Sequence, residues 1–304
     1  MWGSFRDTAL VARFELLRSL RNRVAMAIFS LYALLMAGVT WGFTRFLLGI
    51  ENAAAQAMRV PQVRRPGAML ESLRNNSPEL RNTLAGMFGD DTVAAAWLDM
   101  DLHILVLVHL TAGLVVLPFI AAFTCSETIA VDLRSRSVRY ELLRVGRLEF
   151  VFGRFVGQAL LMGVGALFSA FGTWAVAVFA MTGTNALTTA WDLIWITPRL
   201  LIAALPFVAL GITCSQLTRS ANLARTLSLG AVAGSWILYG YTQEQISREG
   251  GGLGWDLVQQ ALPQTWLDGV LNFGGSLWSA VGLLSLLSFA YVAIGLAAFM
   301  RRDL

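Results

Sequence analysis

The sequence predicts an all-α membrane protein with six transmembrane helices, an N-terminal amphipathic interfacial helix and both termini cytoplasmic. Three observations predict this. Hydrophobic residues make up 56% of the 304 positions, charged residues only 14%, and the mean hydropathy is +0.62. A soluble domain carries about 25% charge, so this chain cannot cover its own apolar surface with polar groups. Six long windows are free of charge. All 23 basic residues are Arg, and they fall unevenly between those windows.

The elements follow in order. Residues 1–23 contain Asp7 and Glu15 and no small-residue cleavage site after the next apolar run, so they do not read as a secretory signal. On a helical projection Asp7, Thr8, Glu15, Arg18, Ser19 and Asn22 share one arc. Phe5, Ala9, Leu10, Phe14, Leu16, Leu17 and Leu20 fill the rest. Arg6, Arg13 and Arg21 are placed to snorkel to phosphates. This predicts a helix lying on the inner leaflet; the plainer alternative is a cytoplasmic extension of the first span. A spanning helix needs about 20 apolar residues. Such spans are predicted at about 24–44, 102–125, 155–181, 200–218, 226–243 and 277–300, together forming one domain over 24–304. Continuous apolar runs, not alternating ones, make these helices rather than barrel strands. Thr-Gly-Thr-Asn at 182–185 ends the third.

Orientation follows from Arg. With the N-terminus inside, 15 Arg fall in inner segments and 8 in outer ones, while 7 acids lie inside and 12 outside. That is a positive-inside pattern. Trp41, Trp191, Trp195 and Trp278 then fall near outer span ends, where amphipathic rings sit well. Cys125 and Cys214 lie toward the cytoplasmic ends and read as reduced structural residues. The outer loop 45–101 is large, with short helices expected at Glu51–Arg59 and Pro78–Phe88; Gly254–Leu271 also reads as helical, interrupted by Pro263.

Several function classes are excluded by what the residues lack. None of the six windows holds Asp, Glu, Lys or Arg, the groups that secondary transporters use to bind protons and ions. Six residues of helix turn His109 about 240° round from His103, so the two share no ligand; with no other His, no metal site is predicted. No Lys means no Walker A motif, and the Gly-rich stretch 250–254 reads as an outer turn. Ser235 has no His on its own helix, so no catalytic residues are predicted.

The inner segment 127–154 carries six Arg against Glu127, Asp132, Glu141 and Glu149, and has helical spacing at Val138, Glu141 and Leu142 and at Tyr140, Leu143 and Arg144. It reads either as a short docking helix under the membrane or as a solvated hairpin.

Here the chain resembles the integral membrane permease subunits of the type-2 ABC exporter family. That family has an acidic residue after span two, a Ser-Gly-Thr-like turn, a Leu-Leu pair, a Pro-x-x-Arg-like turn and a Gly-Lys pair opening span three. This chain has Glu127, Ser135-Arg136-Ser137, Leu142-Leu143, Val145-Gly146-Arg147 and Gly153-Arg154 in that order. Arg136 stands where Gly is usual, Ser137 where Thr is, Val145 where Pro is and Arg154 where Lys is. The ending Phe299–Leu304 and Leu262-Pro263 also look like the family's.

The resemblance implies a permease that is not itself an enzyme. It would be driven by a separate ABC ATPase subunit that holds ATP and Mg, with no cofactor bound by this chain and no nucleic-acid partner. It further implies a dimer with a second permease copy or homologue in a bacterial cytoplasmic (inner) membrane. The loop 127–154 would be the coupling loop, with Glu127, Arg134, Arg136, Arg139, Tyr140, Glu141, Arg144 and Arg147 meeting the ATPase. Arg219 and Arg225 mark a second, shorter coupling loop. His109, Thr111, Ser228 and Ser235 are the candidate pathway lining, and Gly230-x-x-x-Gly234 permits close helix approach. The outer loop would serve as a gate or meet an accessory extracytoplasmic protein. The alternative is a membrane scaffold whose ATPase partner does mechanical work rather than export.

Overall fold

A computed structural model describes residues 2–57, 59, 61, 62, 64–67, 102–249, 252–271 and 277–302. Among these the regular elements are all helical. In chain order they are α1 (Trp2–Leu20), α2 (Arg23–Ala57), α3 (Ile104–Cys125), α4 (Ala130–Ser135), α5 (Val138–Leu142), α6 (Arg147–Ala180), α7 (Ala186–Leu217), α8 (Ala221–Glu249), α9 (Leu253–Gln260), a 3₁₀ turn (Pro263–Trp266), α10 (Leu267–Leu271) and α11 (Leu277–Met300).

Five stretches are long and apolar enough to cross a membrane: Arg23–Ala57, Ile104–Ser135, Arg147–Ala180, Ala186–Leu217 and Leu277–Met300. The remaining predicted span, 226–243, lies inside α8. That helix has the length, but Ser228, Gly230, Gly234, Ser235, Gly240, Thr242 and Gln243 dilute its apolar character. α11 matches its predicted bounds and α3 starts two residues late, whereas α2, α6 and α7 extend beyond theirs. α2 continues past Thr44 through Arg45 and Glu51; α6 starts at Arg147 and α7 at Ala186. Asn185 sets that last start, its side-chain oxygen accepting from the N–H groups of Leu187 and Thr188 at 3.0 and 3.4 Å. The helix expected at Pro78–Phe88 lies outside the described residues. The interrupted helix expected over 254–271 is present as α9, the 3₁₀ turn and α10.

Burial separates a centre from a periphery. The apolar stretches of α3 and α7 are each 67% buried, those of α2 and α11 only 28% and 33%. Leu31, Leu34, Phe171, Phe179 and Ile237 point outward from their helices. An outer surface this apolar belongs in hydrocarbon, not water.

Glycines set the close approaches. A Cβ at Gly172 would sit 2.5 Å from the Ala33 carbonyl oxygen, so α2 lies directly on α6. A Cβ at Gly153 would meet the Val11 side chain at 2.5 Å and the Thr8 carbonyl at 2.9 Å; one at Gly157 would meet the Ala12 carbonyl at 2.9 Å. This pair seats α1 on α6. Gly153→Ala is therefore expected to lift α1 and cost about 1–3 kcal/mol through overpacking. Thermal melting of the purified chain checks it, with Gly38→Ala, where nothing lies within 4 Å, as the unaffected comparison.

The connecting segments gather at two ends. At one end lie α1, α4, α5, residues 217–225 and the last turn of α11. At the other, the Thr182 N–H donates to the Pro66 carbonyl at 3.0 Å, and Arg199 donates to the Val270 carbonyl at 3.1 Å. The described parts of the segments read from sequence as inner and outer thus fall at opposite ends of the bundle.

Candidate functional site

The site is built at the α1–α4–α5 end. Where α3 stops at Cys125 the chain turns, and the N–H groups of Ile129 and Ala130 both donate to the Ser215 hydroxyl at 2.8 Å. One side chain from α7 thus satisfies two donors at the start of α4. α4 and α5 are separated by Arg136 in the left-handed region, at φ 61° and ψ 11°. Ser135 and Ser137 bridge that turn at 3.0 Å, and the Ser137 hydroxyl reaches Asp132 at 3.3 Å. A side chain costs about 1–2 kcal/mol in this conformation and glycine almost none. Arg136→Gly is accordingly expected to raise stability by up to about 1 kcal/mol, and Arg136→Val to lower it, as read by thermal melting.

Behind the turn lies a buried charge cluster. Arg154, on α6, is 1% exposed. One guanidinium nitrogen ion-pairs closely with Glu15 on α1. The other donates to Asp132 of α4 at 2.6 Å and to Glu141 of α5 at 3.0 Å. Arg18 adds a second cation on Asp132 at 3.2 Å. Gln158 donates to Glu15 at 2.6 Å, and its own oxygen accepts from the Cys125 thiol at 3.5 Å. The Phe150 ring lies 5.1 Å below the guanidinium. Taking a guanidinium out of water costs several kcal/mol, recovered only where hydrogen-bonded anions surround it. Here one planar fork meets acids from three elements and ties α1, α4 and α5 to α6.

This arrangement fixes how α1 sits. Thr8, Val11, Ala12, Glu15 and Ser19 face α6, whereas Phe5, Leu10, Phe14 and Leu17 are exposed. Glu15 and Ser19 of the polar arc read from sequence face protein; of the apolar arc Phe5, Leu10, Phe14 and Leu17 face outward, while Leu16 and Leu20 pack against the core.

The eight residues expected to meet the ATPase divide into two groups. Arg134, Arg136, Arg139, Tyr140 and Arg144 are exposed and make no ion pair among the described residues; with Leu143, 83% exposed, they form one free face. The other three are bonded within the chain. Glu141 faces Arg154. Glu127 ion-pairs closely with Arg225, joining the two loops, and Arg225 stacks over Phe123 at 4.9 Å. Arg147 donates to the carbonyls of Phe299 and Met300 at 3.5 and 2.7 Å, neutralising the C-terminal end of α11. Arg219 is exposed.

Among the described residues no hydrogen bond links the four residues expected to line a pathway. His109 is fully buried and bonds Thr173 at 2.8 Å, which in turn meets Thr40 at 3.2 Å, so these groups join α3, α6 and α2. Thr111 bonds the Leu107 carbonyl of its own helix. Ser228 is buried, and Ser235 accepts from Gln264 at 2.7 Å. No group of three or more metal-ligating side chains occurs among the described residues.

Glu15, Asp132 and Arg154 do not stand out as a site in the sequence. A signal was available: Arg154 is a lone charge between Gly153 and Gly157, and Glu15 is an acid on the polar arc of a helix whose other charges are mostly Arg.

Among known proteins, the family model described as ABC-2 family transporter protein matches residues 9–304 of this chain. No curated protein matches it.

Proposed function

The chain belongs to the ABC-2 transporter family, and from that premise we propose that it is the permease subunit of an ATP-driven exporter, moved by a separate ABC ATPase that docks on α4 and α5. The multi-pass character of the chain and its family support a membrane permease. The observation that carries the docking assignment is the free face of Arg134, Arg136, Arg139, Tyr140, Leu143 and Arg144, backed by the Arg154 cluster. A cationic face with an exposed aromatic and Leu suits a protein partner of opposite charge.

On this reading ATP and Mg belong to the partner, and nucleotide-driven closure pulls on α4 and α5. Asp132 and Glu141 pass that pull to Arg154, and Arg154 passes it to Glu15 on α1 and along α6. The result is a shift between inward-open and outward-open populations. α8 is the sixth span, α1 lies on the inner leaflet with its apolar arc in lipid, and both termini are cytoplasmic, in a bacterial inner membrane. Two copies meet along α8, where a Cβ at Gly230 or Gly234 would find nothing within 4 Å in this chain.

The test is to purify the chain from its native membrane and reconstitute what comes with it. A stoichiometric ATPase whose turnover falls when the chain is removed supports the reading. A chain that purifies without an ATPase, or that hydrolyses nucleotide alone, overturns it.

A further inference from the structure

Beside the charge cluster, where α1 gives way to α2, lies a cavity of about 430 Å³. Its polar side is lined by Arg18, Arg21, Glu127 and Gln158, its apolar side by Val24, Ala25, Ile28, Phe123 and Leu161. A second cavity, of about 480 Å³, runs on between α2 and α3 along Leu31, Leu35, Val115 and Phe119. Ile28 and Phe123 line both, so the two adjoin. From Phe123 to Val115 the groove extends about 12 Å along α3. The whole is charged at one end and almost wholly apolar along the rest.

The charges at the polar end are not equally available. Arg18 is held by Asp132, Glu15 by Arg154 and Gln158, and Glu127 by Arg225. Arg21 is exposed and makes no ion pair among the described residues. The polar end therefore offers one uncommitted guanidinium, the group best suited to an anionic oxygen pair.

We propose that this composite cavity is a glycerophospholipid site, with the phosphodiester at Arg21 and one acyl chain lying between α2 and α3. The proposal rests on the reading that α2 and α3 cross the bilayer. The occupant follows from charge complementarity and from shape. A free anion would fill the polar end and leave the groove empty. A peptide helix from a second copy would fill the groove and leave Arg21 unused. Only a bilayer lipid matches both ends at once. The lipid would wedge α1 against the start of α2, next to the elements that carry the coupling face.

The test reads lipid contact, not transport, so its failure is distinguishable from failure of the permease assignment. The full chain is placed in vesicles of phosphatidylethanolamine and phosphatidylglycerol that contain a phospholipid with a photoactivatable acyl chain, and labelled peptides are mapped. Labelling concentrated at Val115 to Phe119 and at Leu31 to Leu35 is expected. Arg21→Glu is expected to cut it at least fivefold with unchanged thermal melting, and Arg6→Glu to leave it unchanged. Ile28→Trp, which plugs the junction while keeping Arg21, is expected to abolish it. Labelling spread evenly over Phe171, Ile294 and the groove would mean bulk lipid only and overturn the proposal. Competition by inorganic phosphate would show a free-anion site, and cysteine crosslinks between copies from Leu35 to Val115 without lipid label would show a second copy. Either of these also overturns it.

Discussion

Arg154→Met is expected to be the most damaging single substitution in the chain. It removes the one cation that three acids share, leaving Glu15, with a side chain 4% exposed, as an uncompensated buried charge and the equally buried Asp132 with Arg18 alone. Breaking a buried ion pair from one side costs about 3–5 kcal/mol. Because the acids come from α1, α4 and α5, the damage should be architectural: α1 comes off α6 and the coupling face loses its backing. The expected readouts are a lower melting temperature and new tryptic cleavage at Arg13 and Arg18. Arg154→Lys keeps a charge and should lose less, although an ammonium lacks the planar fork that reaches both sides. Adding Glu15→Gln and Asp132→Asn to Arg154→Met should recover much of the stability, since no bare charge then remains, but should not restore coupling. If Arg154→Met melts like the parent chain, the cluster is not what holds this end together.

The second large effect acts in the opposite way, on binding without folding. Arg139 and Arg144 are exposed and make no ion pair among the described residues. Reversing both to Glu should leave the fold within about 0.5 kcal/mol of the parent, as for exposed sites away from special features. Across a charged interface each reversal replaces attraction by repulsion. At about 1.4 kcal/mol each, the pair weakens the ATPase complex about a hundredfold. Copurification at physiological salt measures this directly, and raising the salt should weaken the parent complex in the same direction. Binding that survives both reversals would put the docking face elsewhere. The two experiments separate two roles that adjacent residues play: Arg154 is invisible from outside and structural, Arg139 and Arg144 are visible and dispensable to the fold.

Much of the architecture was legible because lipid imposes a simple demand on sequence. Long uncharged windows mark where a helix must be apolar all round, and these lie within the observed helices. They do not mark helix ends. α2 runs on past Arg45, α6 contains Arg154, and α7 contains Asp192 and Arg199. Each cation has a local answer: Arg45 lies 4.8 Å over the Trp41 ring, Arg199 the same distance over Trp195, and Arg154 among its acids. A window scan sees the charge and not the answer. The resemblance located the turn between α4 and α5, and the left-handed backbone at Arg136 explains why glycine is usual there. The charge cluster was not legible because its partners stand 13, 22 and 139 residues from Arg154. No local period links such positions; only the seating of α1 on Gly153 and Gly157 brings them together.

The two hydrogen bonds to Ser215 have a mechanical consequence. They pin the chain at Ile129 and Ala130, between Glu127 on one side and Asp132 to Arg144 on the other. A lever held at such a fulcrum converts a push into rotation. On the proposed docking, drawing the cationic arm one way would swing the shorter arm bearing Glu127 the other, and with it the tie to Arg225 at the foot of α8. One hydroxyl oxygen would thereby set the sense in which the two loops turn relative to each other.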